Sequence, residues 1–166
     1  VSIINNYSIH HEINNPHKII KLFESDNVIN IIYGYPLINN KLDYNKVNEI
    51  INSNNIKKNL ISSINGEFLL LSLNKKDLSV KIINDRFTSY PLYYCNIGRN
   101  FYCSTNYFNL IKLVKKNNDN ITINNTAFAE FLWFRKIHGD ITYHNEINFL
   151  ASASSFEYFK NQKQIT

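Results

Sequence analysis

The chain has 166 residues, of which 44% are hydrophobic and 19% charged; this suits one globular domain and excludes wholesale disorder. Its 2 cysteines are too few for a disulfide framework, and no apolar run approaches the roughly 20 residues that cross a bilayer. The net charge is +5, but the lysines are scattered, so the sequence predicts neither a nucleic-acid-binding surface nor a membrane protein.

The beginning of the chain predicts a strand and a helix. Residues 2–4 are expected to form a strand. Residues 16–23 should form a short helix, because Ile19, Ile20 and Phe23 fall on one helical face.

A β-rich run over residues 27–33 follows, and it should stop at Gly34 and Pro36, which both disfavour strands. Two helical segments are predicted next. The first covers residues 43–51 and is capped by an aspartate, and the second covers residues 56–64.

The centre of the sequence predicts β structure. Residues 66–73 are almost continuously apolar, which indicates a strand buried on both faces. Residues 78–84 should pair with it across a short polar turn. A second hairpin is expected from residues 92–96 and 101–104, so that four strands run in meander order.

The last third predicts two helices and two strands. Residues 107–114 should form a helix with Phe108 turned inward, and residues 126–134 a helix capped by Thr126. The final strands are expected at residues 147–150 and 156–159.

Several motifs occur in one characteristic order. They are residues 64–71 (INGEFLLL), 84–94 (NDRFTSYPLYY), 101–105 (FYCST) and 128–150. Together they resemble the N-terminal glutamine amidotransferase domain of asparagine synthetase-type enzymes. That domain carries a Leu-x-Gly-x-Phe strand, an Arg-Asp-x-x-Gly-x-x-Pro-Leu-Tyr-Tyr segment, a Phe-x-Ala-Ser-Glu element, and later a helix, a Gly-Asp-x-Thr turn and a final hairpin.

The resemblance implies an α+β fold, a four-layer αββα sandwich of two stacked antiparallel sheets of the N-terminal-nucleophile hydrolase type. Residues 1–166 would form a single amidotransferase-like domain. Active family members hydrolyse glutamine and pass the ammonia to an ATP-using synthetase domain. The Ser-Gly-Gly-x-Asp pyrophosphate loop of that domain does not occur in this sequence, so an asparagine synthetase-like ATP-binding domain is the implied partner, in cis or in trans.

The family's nucleophile is an N-terminal cysteine whose own α-amine, with a pKa near ~8, serves as the base. The sequence begins with Val1, and Cys95 and Cys103 lie in mid-chain, so no catalytic residue is expected. An active enzyme with a misassigned or processed N-terminus is the alternative.

The family also places Asn-Gly where an amide and a backbone N–H meet the developing oxyanion. Tyr33 and Gly34 stand at the corresponding strand end, so the resemblance makes them a degenerate oxyanion-hole position in which tyrosine replaces the amide. The segments that hold the family's glutamine clamps have no match here. The implied protein keeps the amidotransferase fold without glutaminase activity.

The residues that match the family's structural motifs are Gly66, Asp85, Arg86, Pro91 and Tyr93. Thr88 departs from the pattern, because it stands where the family has glycine. Two interpretations of Asp85 and Arg86 remain open. Asp85 could cap the turn while Arg86 pairs with a neighbouring carboxylate, which we favour, or both could form a polar contact with the synthetase domain.

The histidines His10, His11 and His17 have no cysteine or carboxylate at ligand spacing, so no metal site and no cofactor are expected. No basic segment followed by an apolar stretch opens the sequence, and a cytoplasmic protein is expected.

The helix around Trp133 is apolar on all sides, which indicates a covered face and therefore a partner or a missing domain. The sequence thus predicts a degenerate amidotransferase-like domain that supports a synthetase domain. A free-standing binding or scaffold module on the same fold is the alternative.

Overall fold

The structure is a computed structural model that describes residues 19–53, 63–98, 100–117 and 120–159, and the backbone of residues 2–4, 7–9 and 162–165. Its contacts group into two compact units, the first made of Val1–Ser89 and Ser155–Thr166 and the second of Tyr90–Ser154. Antiparallel strands and, in the described ranges, three helices make up both units, so the α+β class is confirmed.

The first unit is built on a seven-stranded antiparallel sheet. Its strands are β3 (Ile20–Glu24), β4 (Val28–Ile38), β5 (Lys41–Leu42), β6 (Ile64–Asn74), β7 (Val80–Asn84), β11 (Ser155–Phe159) and β12 (Gln162–Ile165). They lie in the order β12-β11-β7-β6-β4-β3, and β5 pairs with the part of β4 that extends beyond β3. A separate hairpin joins β1 (Ser2–Ile4) to β2 (Tyr7–Ile9), which confirms the strand expected at residues 2–4.

The helix expected at residues 16–23 is wrong where the structure describes it. Residues 16–18 lie outside the described part, and β3 begins at Ile20, which pairs with Tyr33 of β4. The spacing of Ile20 and Phe23 suits a helical face, but the segment forms backbone hydrogen bonds with the edge of β4 and is therefore a strand. Pairing across a sheet therefore outweighs the local pattern.

Strand β4 does not stop at Gly34 and Pro36, as the sequence predicts, but runs on to Ile38. The Gly34 N–H points away from β6 and donates to Ile19 O at 2.8 Å. Pro36 is two residues further, so its missing N–H falls on the same side, where β3 has already ended. The proline therefore removes no hydrogen bond between β4 and β6.

The single helix described in the first unit, α1 (Tyr44–Asn52), covers one face of this sheet. The Asp43 side chain accepts a hydrogen bond from Lys46 N at 3.0 Å, as a helix cap does, so the predicted start is confirmed. The buried apolar residues that α1 shares with the sheet are Ile32, Ile38, Val47, Ile50, Ile51, Ile64, Phe68, Leu70 and Ile83. Residues 56–62 of the second predicted helical segment lie outside the described part, and Ile64 opens β6.

Strand β6 is buried on both faces at its centre, because Phe68, Leu69 and Leu70 are all buried in succession. It forms the predicted hairpin with β7. The other neighbour of β7 is β11, in which Phe156 pairs with Ile82, so the predicted four-strand meander is wrong. Two apolar strands distant in sequence pair here because together they bury their side chains.

The second unit contains a three-stranded sheet and two helices. Its elements are β8 (Tyr93–Ile97), β9 (Asn100–Ser104), α2 (Tyr107–Lys116), α3 (Asn125–Phe134) and β10 (Ile147–Phe149). The strand order is β10-β8-β9. The predicted β8–β9 hairpin is confirmed, whereas the final hairpin is wrong, since β10 and β11 belong to different sheets.

The core of the second unit comprises Cys95, Leu110, Val114 and Ile147. Helix α2 turns Leu110 and Val114 inward, and the predicted inward residue Phe108 is 71% exposed. Helix α3 begins one residue earlier than expected, because Asn124 rather than Thr126 accepts the capping hydrogen bond, from Ala127 N.

Candidate functional site

Tyr33 and Gly34 lie inside β4 and not at its end. Gly34 has φ +84° and pairs with Phe68 of β6. Its N–H donates to Ile19 O at 2.8 Å, and its carbonyl accepts from the Tyr44 hydroxyl at 2.9 Å. Both backbone polar groups of Gly34 are therefore already hydrogen bonded within the first unit.

Tyr33 is half-buried and pairs with Ile20 on one side and Leu69 on the other. The Gly34 N–H and the Tyr33 side chain are the two groups that the resemblance assigns to the oxyanion hole. The first is bonded to a backbone carbonyl of the segment leading into β3. This geometry offers no open backbone donor to a substrate at Gly34.

Gly66 lies on the same end of the sheet, opposite Pro36. Its φ is +95°, and a Cβ at this position would lie 2.2 Å from Tyr35 O. Only glycine permits so close an approach of the two backbones. The role of Gly66 in this structure is therefore to let β6 lie against β4.

Asp85 organises the turn that follows β7. The residue is 2% exposed, and its carboxylate accepts hydrogen bonds from Phe68 N at 3.0 Å, Phe87 N at 2.7 Å and Ser89 N at 3.1 Å. The Ser89 hydroxyl lies 3.2 Å from the same carboxylate. Asp85 thus fixes residues 85–89 against β6, as the capping interpretation requires.

The ion pair that the favoured interpretation assigns to Arg86 is not found among the described residues. The Arg86 side chain is exposed, and no carboxylate of the described residues lies within ion-pair distance of it. Phe87 beside it is 86% exposed. The loop that Asp85 holds in place therefore presents an arginine and a phenylalanine to solvent.

Thr88 has φ +54°, in the left-handed region that a β-branched residue disfavours. Its hydroxyl oxygen is buried and has no hydrogen-bond partner among the described residues. Sequence reasoning identifies Thr88 as a replacement for glycine, and the backbone at this position is one that glycine favours.

Pro91 and Tyr93 belong to the second unit, and Gly34, Gly66 and Asp85 belong to the first. Pro91 is partly buried just before β8, and the Tyr93 ring packs edge-on to Tyr107 with centroids 5.1 Å apart. Both therefore have a packing role in the structure.

A polar cluster at the start of α2 was missed by sequence reasoning. The Tyr107 hydroxyl is hydrogen bonded to His144 Nδ1 and lies 3.4 Å from Thr142 Oγ1. The buried Thr142 hydroxyl donates to Ile147 O at 2.8 Å. A tyrosine, a threonine and a histidine with no fixed spacing give no signal in a single sequence.

Burial shifts the pKa values of His144 and Tyr107 so that both side chains favour their neutral forms. Burial lowers the pKa of His144, while Glu146 nearby acts in the opposite direction. Burial also raises the pKa of Tyr107. A Tyr107 hydroxyl that donates to Nδ1 requires the neutral tautomer of His144 that carries its proton on Nε2.

The two cysteines are poor nucleophiles. Cys95 is fully buried in the core of the second unit. Burial raises the pKa of the Cys103 thiol to about 12, so almost no thiolate exists at neutral pH.

His10, His11 and His17 lie outside the described residues. Within the described ranges, no three histidine, cysteine, aspartate or glutamate side chains come together as a metal-binding group. No described helix is both long enough and apolar enough to cross a membrane.

No protein-family model matches this chain, and no curated protein matches its sequence.

Proposed function

We propose that this chain is a degenerate amidotransferase-like domain that has lost glutaminase activity and supports an asparagine synthetase-like, ATP-using synthetase domain. The proposal starts from the ordered motifs of residues 64–150. Several short motifs in one order are far more specific than any one of them alone.

The observation that carries the loss of activity is the hydrogen bond from Gly34 N to Ile19 O. An oxyanion hole works because its donors are in place and unpaired before the negative charge develops. A donor already bound to a carbonyl would have to break that bond during the reaction. Loss of a single oxyanion-hole donor lowers kcat by about 10²–10³.

The cysteines support the same conclusion. Glutamine hydrolysis by this family needs a thiolate nucleophile. The thiol of Cys95 is buried in a core, and burial raises the pKa of the Cys103 thiol to about 12. Both are therefore poor nucleophiles at neutral pH.

Thr88 supports the family itself. The resemblance aligns this residue with a glycine, and its φ is +54°. A threonine in the left-handed region costs about 1–2 kcal/mol relative to an ordinary backbone conformation. Thr88 therefore has a backbone conformation that suits glycine better than threonine. This is expected if the loop was inherited from a family member that had glycine at this position.

The proposal includes the four-layer αββα sandwich. Helix α1 covers one face of the large sheet, and the opposite face is buried at Ile29, Leu69 and Ile82. A sheet that is buried on both faces is what the inner layer of a sandwich needs.

The first experiment measures glutamate release from glutamine by the purified chain. We expect none, and also none from Tyr33→Asn, because restoring the amide leaves the Gly34 N–H bonded to Ile19. Steady turnover by the unmodified chain would refute the loss of activity and favour an active amidotransferase.

The second experiment addresses the partner. The gene is read beyond the codon for Thr166, and its neighbours are read for a Ser-Gly-Gly-x-Asp segment. Such a segment in the same frame or in an adjacent gene is the expected result. Its absence from both would favour the free-standing binding or scaffold module.

A further inference from the structure

Asn65 is the one asparagine of the chain that is followed by glycine. An asparagine loses its side-chain amide when the backbone nitrogen of the next residue attacks its side-chain carbonyl carbon, and the short tether between the two groups favours this intramolecular reaction. Glycine hinders the attack least, because it carries no Cβ beside the nitrogen. Asn65 and Gly66 are both exposed near the start of β6, so water and hydroxide reach them.

The backbone N–H of Gly66 points away from β4. Two residues further along β6, Phe68 donates its N–H to Asp85 Oδ2 at 3.0 Å and accepts a hydrogen bond from Asp85 N at 3.1 Å. Alternate residues of a strand direct their backbone groups to the same side, so Gly66 also faces the side of β7. Strand β7 does not extend to Gly66, because its pairing with β6 begins at Leu69. Within the described ranges, no strand accepts a hydrogen bond from the Gly66 N–H.

The peptide plane between Asn65 and Gly66 is able to turn without moving its neighbours. In an extended backbone the Asn65 side-chain carbon lies away from the Gly66 nitrogen, so ψ of Asn65 must become negative before a ring closes. Opposite rotations of this ψ and of φ of Gly66 turn the plane alone. Gly66, with φ +95°, adopts either sign of φ without a Cβ clash. The turn gives up at most the hydrogen bond that pairs the Asn65 carbonyl with Leu37.

We propose that Asn65 is a deamidation site of this protein. The Gly66 nitrogen gives its proton to hydroxide and forms a bond to Asn65 Cγ, and the bond from Cγ to the side-chain nitrogen breaks. That nitrogen takes a proton from water and leaves as ammonia, and a five-membered succinimide remains. Water then opens the ring at either carbonyl to give aspartate or isoaspartate, so one water is consumed and one ammonia is released. The proposal does not depend on the proposed function.

The isoaspartate product would disturb the large sheet. Its main chain contains one carbon more, so Gly66 would no longer lie in register opposite Pro36 and close to Tyr35 O. Either product also adds a carboxylate beside the exposed Glu67. We therefore expect the converted protein to unfold at a lower temperature than the unconverted protein.

The test incubates the purified chain without denaturant at neutral and at mildly alkaline pH. Peptide mass spectrometry with electron-transfer fragmentation then locates each conversion and distinguishes aspartate from isoaspartate. Conversion should be fastest at Asn65 and should rise with pH, because hydroxide removes the Gly66 proton. Asn65→Gln should convert far more slowly, since glutamine needs a six-membered ring, and its far-UV circular dichroism should be unchanged. Asn45→Gln, at another exposed asparagine, is the matched control and should leave conversion at Asn65 unchanged.

Conversion at Asn65 that is no faster than at the other asparagines would overturn the proposal. So would conversion that appears only in urea, because the folded sheet would then hold the Asn65–Gly66 plane fixed. A rate that does not change with pH would overturn the attack by the Gly66 nitrogen.

Discussion

Replacing Thr88 with glycine should make this protein more stable. Thr88 combines a φ of +54° with a buried hydroxyl that lacks a partner among the described residues. Glycine relieves the backbone strain, which is worth about 1–2 kcal/mol. It also removes the unpaired hydroxyl, whose burial costs about 1–3 kcal/mol.

Two effects oppose this gain. Glycine gives the unfolded chain more freedom, which costs about 0.5–1 kcal/mol, and the loss of the threonine methyl group costs up to about 0.8 kcal/mol. The balance for Thr88→Gly is a stabilisation of about 2 kcal/mol. In a domain of this size that raises Tm by roughly 4–8 °C.

Urea denaturation followed by far-UV circular dichroism measures the change, and three further variants separate its causes. Thr88→Asn keeps a side chain that tolerates the left-handed region, so it should recover most of the strain. Thr88→Val keeps the strain and removes the hydroxyl alone. Thr126→Gly, in the first turn of α3, should destabilise slightly, since no strain is relieved there.

A Thr88→Gly protein that is less stable than the unmodified chain would refute this reasoning. So would a Thr88→Asn protein that is no more stable than the unmodified chain, because asparagine should recover most of the backbone strain.

Three further substitutions test the structural roles of Asp85, Gly66 and His144. Asp85→Ala leaves the buried Phe68 N–H unpaired and frees the turn, so it should lower the free energy of unfolding by about 3–5 kcal/mol in urea titrations, with Asp85→Asn losing less. Gly66→Ala forces a Cβ to within 2.2 Å of a carbonyl oxygen at φ +95°, and should cost at least about 2 kcal/mol by the same measurement. The pKa of His144 is lowered below 6.5 in the folded protein, so the unfolded chain binds the proton more readily. Its contribution to stability is present above pH 6.5 and is lost as the pH falls below that value, and His144→Gln should flatten the acid side of the pH–stability profile.

Elements with strong local signals were predictable from the sequence. Helix α1 has a capping aspartate and buried residues at helical spacing, and the β6–β7 hairpin has two apolar runs joined by a polar turn. The errors concern partners that are distant in sequence. The residues of β3 have helical spacing, and only their pairing with β4 makes them a strand. Strand β11 pairs with β7, from which it is separated by about seventy residues of chain.

Local residue types also failed to reveal where a strand ends. Gly34 and Pro36 are strand breakers by composition, yet β4 continues through both. Their effect depends on which side of the strand each N–H faces and on whether a neighbour is present there. Both depend on the register of β3, β4 and β6 together, which the sequence of one segment does not determine.

Hydrogen bonds and ion pairs at the candidate site were not predictable from the sequence. The resemblance placed Gly66, Asp85 and Thr88 at special positions, and the structure gives each a physical reason. It could not show that Arg86 lacks a carboxylate partner within the described residues, since ion pairs depend on side chains brought together by folding.

The hydrogen bond between Gly34 and Ile19 connects the stability of the sheet with the proposed loss of activity. If Tyr33 and Gly34 descend from an oxyanion hole, extending the β3–β4 pairing by one residue has turned a catalytic donor into a structural one. Such a hydrogen bond contributes about 1 kcal/mol to stability, and losing the donor would cost the reaction a factor of about 10²–10³. Restoring the amide at position 33 cannot reverse this, because the N–H becomes available only when the segment leading into β3 withdraws from β4. On the proposed function, glutamine hydrolysis at this position would therefore need a change in the sheet edge.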